Sequence, residues 1–463
     1  MKTHLFMVIV YVLCTGTIAL AQNEVSEPST RSSRNLAAKI ENYLRPYAET
    51  NNFSGVVCIT RHDRILFQRG YGMANYEFGV PNTSETRFHI ASVSKPFTAA
   101  AVLLLEERGK LDTSDPISRF LADYPNGNKI HLQHLLTHSS GIPNVNNFPD
   151  YDQESRFPHT VEQVVALFKD NPLDFEPGSR FRYSNSNYNV LALIMERVSG
   201  EKYGEFLKAN IFDPLGLTSV LHDGDAKRII PNRASGTEPE GLLDVKLVPY
   251  LDWTIKTGNG SLITTASDLC TFASSLFTGK LLNAASLAKV MLPGTPFPYG
   301  WASDERFGHK MMRINGRSPG FVASLEYFLR DSICIAILSN SYSSVAQDIA
   351  PHISALVFGR SIDAPSIAYA AHRADEMSAF IGRYKMPDNY YVPGATLTLQ
   401  DRGKYLEANW SNGAMTVIYP TGGDNFVDRT FWAHVRFTRD DSGQVSGFVY
   451  KLVQDFTVKK LTP

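Results

Sequence analysis

Serine and lysine residues spaced three apart occur at three places in this chain, and such a pair can supply a nucleophile and its base. The pairs are Ser92 with Lys95, Ser199 with Lys202, and Ser286 with Lys289. Residues three apart on a helix share one face. A lysine that is desolvated or close to other cations can be neutral and accept the proton of a serine. The spacing alone does not choose among the three pairs.

The neighbourhood of Ser92 favours the first pair. Ser92 lies where an extended segment, residues 87–90, turns into an apolar helix that begins near Pro96. The N-terminus of a helix stabilises developing negative charge. Ser199 follows a helix end, and Ser286 lies in the pattern of a surface helix. The alternative for Ser92, a helix-capping serine with a solvated lysine, stays open on this motif alone.

Tyr183 and Asn185 form a second group of candidates. They lie in a loop-like stretch just before a predicted helix. A tyrosine close to a lysine can lose its proton more easily and act as general base or acid. An amide such as Asn185 can orient a substrate carbonyl and hydrogen-bond the lysine. The same spacing recurs at Tyr124 and Asn126, where the sequence is typical of a solvated turn.

The hydrophobic pattern predicts the elements that must hold these residues. Helical periodicity or capping signals mark the segments 36–47, 96–107, 188–198, 265–279 and 345–358. Two β-hairpins are predicted at 56–67 and 321–338. Helices that flank hairpins indicate a mixed α/β (α+β) domain with a largely antiparallel sheet. From residue 395 onward, short β-prone runs alternate with turns, which is typical of a small all-β barrel or sandwich.

The N-terminus has the features of a secretion signal over residues 1–21. Lys2 precedes the apolar run Leu5–Leu13, and Ala19–Ala21 offers small residues before a cut ahead of Gln22. We therefore expect a secreted or periplasmic protein. Lipid attachment at Cys14 is less favoured, because the bulky Leu13 precedes it. No other run reaches the ~20 apolar residues of a membrane span.

Changes in composition divide the remainder into four parts. They are a flexible leader (22–35), a main domain (36–362), a connector (363–381) with a helix at 366–381, and a small β-barrel-like accessory domain (382–463). Because 45 Lys and Arg residues balance 46 Asp and Glu residues, no overall field favours nucleic acid or an anionic membrane.

Three cysteines follow the predicted signal, at Cys58, Cys270 and Cys334. Each has apolar neighbours, and none has the CxxC spacing of a zinc site, so we expect buried free thiols. No motif in the sequence implies a metal or an organic cofactor.

Taken in order, several short motifs resemble the serine β-lactamase and D-alanyl-D-alanine peptidase superfamily, specifically its class C β-lactamase-like branch of peptidases and esterases. These motifs are Phe88-His89-Ile90-Ala91-Ser92-Val93-Ser94-Lys95, Gly109-Lys110-Leu111 with Asp115-Pro116, His134–Gly141, Tyr183-Ser184-Asn185, Phe212–Leu217 and Ser318-Pro319-Gly320-Phe321. The resemblance runs from about residue 36 to 360. It implies a transpeptidase-like antiparallel sheet flanked by helices, with a helical subdomain. It assigns no role to the C-terminal β domain.

The resemblance also implies the roles of the candidate residues. Ser92 is the expected nucleophile, Lys95 with Tyr183 the expected base and acid, and Asn185 a substrate-binding residue. The third motif of such enzymes, Lys-Thr-Gly or His-x-Gly on a strand beside the site, is best matched by residues 314–316, because Ser-Pro-Gly-Phe follows there.

The segment Lys256-Thr257-Gly258 has the letters of that motif but comes well before the turn, so it is not assigned the role. The resemblance makes Asn315, Gly316 and Arg317 substrate-binding residues. The backbone N–H groups of Ser92 and Arg317 would then form the oxyanion hole.

Ile314 departs from the family pattern. An isoleucine can neither bind a carboxylate nor assist proton transfer. Recognition of β-lactams or D-alanyl-D-alanine is therefore less secure than acyl transfer itself. Arg313, Arg317 and His309 are candidates to restore positive charge nearby.

His138 invites a Ser-His-Asp triad, whose members need not be close in sequence. Its Thr-His-Ser-Ser-Gly turn matches a family segment outside the chemistry and favours a structural hydrogen bond instead.

The predicted function is hydrolysis of an ester, amide or β-lactam carbonyl through an acyl-enzyme. A β-lactamase, a D-amino-acid peptidase and an esterase all remain open, with a small molecule or peptide, such as a cell-wall fragment, as substrate. The alternative is a catalytically weakened relative that binds peptidoglycan or peptides. The intact Ser92, Lys95, Tyr183 and Asn185 argue against that alternative.

Overall fold

The computed structural model describes residues 31–362, 369–370, 374–390, 392, 394–452 and 454–461. The predicted signal peptide, most of the predicted leader, and residues 363–368 and 371–373 of the predicted connector lie outside these residues. No described helix has the length and apolar character that a membrane span requires.

The strands before residue 340 form one large sheet and several small ones. In chain order they are β1 (Gly55–Arg61), β2 (Arg64–Tyr71), β3 (Met73–Asn75), β4 (Val80–Pro81), β5 (Phe88–His89), β6 (Leu221–His222), β7 (Thr237–Glu240), β8 (Asp244–Leu247), β9 (Leu262–Thr264), β10 (Ala302–Arg306), β11 (His309–Ser318), β12 (Phe321–Phe328) and β13 (Ile333–Ser339). The large sheet has the order β10-β11-β12-β13-β1-β2, and its neighbouring strands are antiparallel.

The helices of this part of the chain pack on the two faces of the sheet or against one another. They are α1 (Arg31–Glu49), α2 (Lys95–Glu107), α3 (Leu132–Leu136), α4 (Tyr151–Glu154), α5 (Val161–Ala166), α6 (Asn185–Ser199), α7 (Tyr203–Leu207), α8 (Ala266–Phe277), α9 (Ala284–Val290) and α10 (Val345–Val357). Short 3₁₀ helices include Ala91–Ser94, Val145–Asn147 and Trp253–Lys256.

The alternation of side chains along β1 shows how the sheet separates two cores. Val56 and Cys58 belong to the core shared with α2 and α8, whereas Val57 and Ile59 belong to the core shared with α1 and α10. Successive residues of a strand point to opposite faces, and a sheet covered on both faces requires a nearly continuous apolar strand. This explains why β1, β12 and β13 are almost entirely apolar and buried.

The described residues from 382 onward form a closed barrel of eight strands, preceded by α11 (Ala374–Ser378). The strands are β14 (Gly382–Lys385), β15 (Thr396–Asp401), β16 (Leu406–Trp410), β17 (Met415–Gly422), β18 (Asn425–Asp428), β19 (Ala433–Arg439), β20 (Val445–Lys451) and β21 (Asp455–Lys460). Its interior is filled by side chains such as Tyr384, Phe437 and Phe448. The predicted fold class, a mixed domain with an antiparallel sheet and an all-β C-terminal part, is confirmed.

The barrel packs on the main domain through a buried arginine that follows β18. Arg429 donates hydrogen bonds to the side chain of Asn52 at 2.9 Å and to the carbonyl of Gly241 at 2.8 Å. A second contact joins the barrel to β11, because Arg317 donates to the carbonyl of Thr430 and lies over the rings of Tyr342 and Phe431.

Candidate active site

Ser92 is held in the short 3₁₀ helix that joins β5 to α2. The Ile90 N–H donates to the Leu262 carbonyl at 3.0 Å, and the Leu262 N–H donates to the Ser94 hydroxyl at 3.1 Å, so β9 fixes both ends of the turn. Ala91, directly before Ser92, has a φ of 47°. A non-glycine residue in this left-handed region stores strain, and such strain clusters at functional sites.

Lys95 begins α2 and is completely buried. Its Nζ lies 3.1 Å from Ser92 Oγ, 2.8 Å from Asn185 Oδ1 and 2.9 Å from the Asn259 carbonyl oxygen. Burial holds the pKa of Lys95 well below its usual range, and the nearby charge of Lys256 lowers that pKa further. A neutral amine has two N–H groups and one lone pair. The two oxygen acceptors take the N–H groups, which leaves the lone pair for the proton of Ser92.

Tyr183 completes the contacts of the serine hydroxyl. The Tyr183 hydroxyl donates to Ser92 Oγ at 2.8 Å, and the tyrosine ring packs against His138 and Phe297. Burial raises the pKa of Tyr183. The phenol therefore stays protonated at neutral pH and is suited to donate a proton. The sequence predicts that a neighbouring lysine eases the ionisation of Tyr183, but burial raises its pKa, and the hydrogen bond to Ser92 only partly opposes that rise.

Asn185, the first residue of α6, connects the lysine to a group of asparagines. Its Nδ2 donates to Asn146 Oδ1 at 2.7 Å, and its backbone N–H donates to Asn144 Oδ1 at 3.0 Å. The Asn185 amide is thus oriented with its oxygen on Lys95. Neither Asn144 nor Asn146 was selected from the sequence, because nothing in their local pattern distinguishes them from loop asparagines.

Strand β11 lies beside Ser92 and leaves one edge open there. β10 pairs with β11 only from His309 to Arg313. The two-residue turn between these strands makes Arg306 and His309 a hydrogen-bonded pair. In an antiparallel pair, every second residue directs its N–H to the same edge of the strand. Counting from His309, the N–H of Arg317 therefore points to the open edge. A side chain at Gly316 would collide with the Ile90 carbonyl and lie 3.2 Å from the Ser92 backbone nitrogen. Only glycine allows this approach, which brings the N–H groups of Ser92 and Arg317 to the same cleft.

The sequence profile of the beta-lactamase family matches residues 40–357. The chain belongs to the beta-lactamase family. This confirms the predicted family and supports the predicted class of enzyme, a serine hydrolase.

Two relatives and one solved structure illustrate the similarity. A Bacillus subtilis (strain 168) protein named as a penicillin-binding protein, PbpX, is 36% identical over 57% of this chain and 63% of its own length. The matched segment thus spans just under two thirds of that relative. Penicillin-binding protein 4* of the same organism is 26% identical over 90% of this chain and 97% of its own length. The octameric penicillin-binding protein homologue from Pyrococcus abyssi covers 91% of this chain and 99% of its own, with a TM-score of 0.62 and 23% identity, which shows the fold alone.

The third motif, residues 314–316, places no cationic side chain beside Ser92. Ile314 is on the same face of β11 as Gly316 and is buried. The side chains of Asn315 and Arg317 point to the other face, so these two predicted substrate-binding residues can act on a substrate in the cleft through their backbone only.

The three candidates for restoring positive charge are each held elsewhere. Arg313 pairs with Asp304 at 2.7 Å, and His309 pairs with Asp331 at 2.7 Å. Arg317 donates to the Ser344 hydroxyl and contacts the barrel. None of these side chains is available to a substrate beside Ser92.

The Lys256-Thr257-Gly258 segment is not on a strand, yet it adjoins the site. Lys256 ends the 3₁₀ helix Trp253–Lys256. The Gly258 carbonyl accepts a hydrogen bond from Thr98 Oγ1 on α2 at 2.7 Å, and the next carbonyl, that of Asn259, accepts from Lys95. The segment therefore lies directly beneath Lys95, a position that the letters of the sequence do not indicate.

His138 is buried and has no carboxylate partner among the described residues. Its Nδ1 accepts from the Ser184 N–H at 3.2 Å, and its ring lies against that of Tyr183. Burial, with the charge of Lys95, holds the pKa of His138 well below its usual range. A neutral histidine that packs under Tyr183 agrees with the structural interpretation and not with a triad.

The other two serine–lysine pairs differ from Ser92 and Lys95 in electrostatics. Lys202 pairs with Glu196 at 3.1 Å, and Lys289 pairs with Glu106 at 2.7 Å. A carboxylate partner stabilises the charged lysine and makes it a poor base. Ser286 is buried, so the expectation that it lies on a surface face is wrong. Among the described residues, no group of three or more His, Cys, Asp or Glu side chains is placed to hold a metal ion.

Proposed function

We propose that this protein hydrolyses ester, amide or β-lactam carbonyls through an acyl-enzyme on Ser92. The observation that carries the proposal is the environment of Lys95. Its amine is buried without a described carboxylate partner, and two oxygen acceptors direct its remaining lone pair at the serine hydroxyl.

The reaction proceeds in two steps. Ser92 Oγ attacks the carbonyl carbon while its proton passes to Lys95. The N–H groups of Ser92 and Arg317 stabilise the oxyanion. As the bond to the leaving group breaks, Tyr183 gives that group a proton, and the proton held by Lys95 replaces it. Water then attacks the acyl-enzyme by the reverse route and releases the acid.

Among substrates, we favour short peptides or esters derived from the cell wall. The names of two relatives, both penicillin-binding proteins, support a substrate whose carbonyl can acylate a serine, as the β-lactam of a penicillin does. The chain lacks a polar side chain at Ile314, so a substrate must be recognised by other groups in the cleft.

A fluorescent penicillin, an activated short-chain ester and a D-alanyl-D-alanine peptide test the chemistry and the substrate class together. We expect mass spectrometry to locate an acyl adduct on Ser92, and we expect steady turnover of at least one substrate. No adduct with any of the three, or an adduct on another serine, would contradict the assignment.

A binding protein is the second candidate, and one observation favours it. His309, Arg313 and Arg317, the candidates to replace the missing cation of the third motif, are all held away from the cleft. In that case an adduct would form and persist for hours with no release of product, whereas a hydrolase releases the acid and regains its free serine.

We also propose that the protein is exported. The support is the sequence alone, namely Lys2, the run Leu5–Leu13 and the small residues Ala19–Ala21. Expression in a bacterial host followed by fractionation should recover a mature chain that begins at Gln22. A full-length chain in the cytosol would contradict export.

A further inference from the structure

A cavity of about 230 Å³ lies next to the serine site. It is lined in part by Asn146, Tyr151, Lys256 and Pro319. Asn146 accepts the hydrogen bond from Asn185, the residue that holds Lys95. Pro319 follows directly on the last residue of β11. The cavity therefore adjoins the serine site, one residue beyond Asn185.

Lys256 is a buried cation without a described anionic partner. Only 7% of its surface is exposed, and its Nζ donates one hydrogen bond, to the Tyr151 hydroxyl at 3.2 Å. Among the described residues, no carboxylate oxygen lies within salt-bridge distance of that ammonium group. An ammonium has three donors, and burying one without a counter-charge is costly. Two of its donors can therefore serve a ligand.

The other charged groups of the cavity do not neutralise Lys256. Asp152 and Arg156 also line it, and both are exposed to solvent. Arg156 donates to the Tyr250 carbonyl. The cavity is thus faced by two cations and one carboxylate, and its most buried charge is positive.

The position of Tyr183 indicates which part of a substrate enters this cavity. Tyr183, the expected proton donor to the leaving group, packs on Phe297 and His138, neither of which lines the cavity. The leaving group is therefore on the Tyr183 side of Ser92. The acyl part then lies on the side of Asn185, whose amide donates to Asn146 in the lining of the cavity.

We propose that Lys256 binds a carboxylate carried by the acyl part of the substrate, and so supplies the anion recognition that Ile314 cannot. This inference rests on the proposed function. It names the substrate class as esters or amides of an acid that bears a second, free carboxylate a few atoms from the scissile carbonyl.

The test uses 4-nitrophenyl half-esters of succinic, glutaric and adipic acid, each beside the matching ester whose free carboxylate is a carboxamide. Turnover by the Ser92→Ala protein is subtracted as the blank, because these half-esters also hydrolyse by intramolecular attack. For the best chain length, we expect the wild type to prefer the carboxylate at least tenfold in kcat/KM, as about one charge-assisted hydrogen bond predicts.

The Lys256→Met variant should reduce this preference to about one- to twofold, and Lys256→Arg should retain part of it. Loss of Lys256 also changes Lys95, but that change affects both members of a pair equally and cancels in the ratio. Lys202→Met, which removes a surface lysine paired with Glu196, is the matched control and should keep the wild-type ratio.

Two outcomes would overturn the inference: a wild-type ratio near one at every chain length, or a preference that survives in Lys256→Met. If no ester is hydrolysed above the blank, the proposed function fails instead. Calorimetric binding of glutarate, which needs no turnover, then still tests Lys256, because the wild type should bind at least tenfold more tightly than Lys256→Met.

Discussion

The serine site and the centre of the barrel both bury ionisable side chains, but they satisfy them differently. In the barrel, Asp428 accepts hydrogen bonds from Thr416 and Tyr450 and from the backbone N–H groups of Thr430 and Phe431. Both carboxyl oxygens of Asp428 are therefore engaged.

In the serine site, Lys95 and Lys256 are buried with only neutral partners among the described residues, and each keeps capacity to react or to bind. A saturated buried group stabilises a fold, whereas a buried charge with unused capacity indicates chemistry. The difference distinguishes a structural polar cluster from a catalytic one.

Removing the nucleophile should have the largest effect. Ser92→Ala should lower kcat/KM by at least about 10³-fold, since the acyl-enzyme can no longer form. The melting temperature should stay close to that of the wild type, because only a hydroxyl is lost. Ser199→Ala, in the pair whose lysine is bound by Glu196, is the control and should retain full activity. If both variants lost comparable activity, Ser92 with Lys95 could not be distinguished from Ser199 with Lys202 as the reactive pair.

Removing the Tyr183 hydroxyl should have the next largest effect. Tyr183→Phe should lower kcat/KM by about 10²- to 10³-fold, because a positioned proton donor contributes about that much. Tyr124→Phe provides the control, since the Tyr124 hydroxyl is buried without a described hydrogen-bond partner. The two variants are compared by rates of ester hydrolysis. An unchanged rate in Tyr183→Phe would mean that the phenol only packs.

The barrel cluster should respond in stability and not in chemistry. Asp428→Asn should reduce the free energy of unfolding by about 1–3 kcal/mol. The NH₂ group of the asparagine would face hydrogen-bond donors where the carboxylate oxygen now accepts. Urea titration measures the loss, and activity per folded molecule should be unchanged. Asp441→Asn, on an exposed turn of the same barrel, should cost less than about 0.5 kcal/mol. A mutant that loses activity while keeping its stability would contradict the structural role.

The smallest expected effect is a shift in the pH profile of Lys256→Met. Lys95 acts as base only when neutral, so kcat/KM rises as the pH passes upward through its pKa. The charge of Lys256 helps to lower that pKa. Without this charge the pKa rises, and the acid limb of the profile moves to higher pH. The profile is measured with a neutral ester. An acid limb at the same pH in both proteins would show that burial alone lowers the pKa of Lys95.

The sequence was sufficient for the residues whose order follows a family pattern. Ser92, Lys95, Tyr183 and Asn185 were all selected from it, and the structure links them in one chain of hydrogen bonds, from Tyr183 to Ser92, Lys95 and Asn185. Their assigned roles stay predictions until the variants are measured. The fold class was also predictable, because apolar runs, caps and turns are local signals.

What could not be predicted depends on contacts between distant segments. The Asn259 carbonyl that holds Lys95 comes from a loop 164 residues away in the sequence. The letters Lys-Thr-Gly at residue 256 match a strand motif that this segment does not form. The proposed role of Lys256 depends instead on the cavity that it lines. Likewise, Arg317 is a candidate in the sequence to supply positive charge to the cleft, and only the alternation along β11 shows that its side chain faces the barrel.

That contact between Arg317 and the barrel has a consequence for how such proteins can be recombined. The guanidinium is held by Ser344 and by the Thr430 carbonyl, between the rings of Tyr342 and Phe431. Strand β11, which faces Ser92 on one side, is thus supported on its other side by the barrel. A hydrolase cut off at residue 362 would lose that brace, and a barrel exchanged with that of a relative would have to bring its own partner for Arg317. In this chain the two parts are therefore best moved into another protein together.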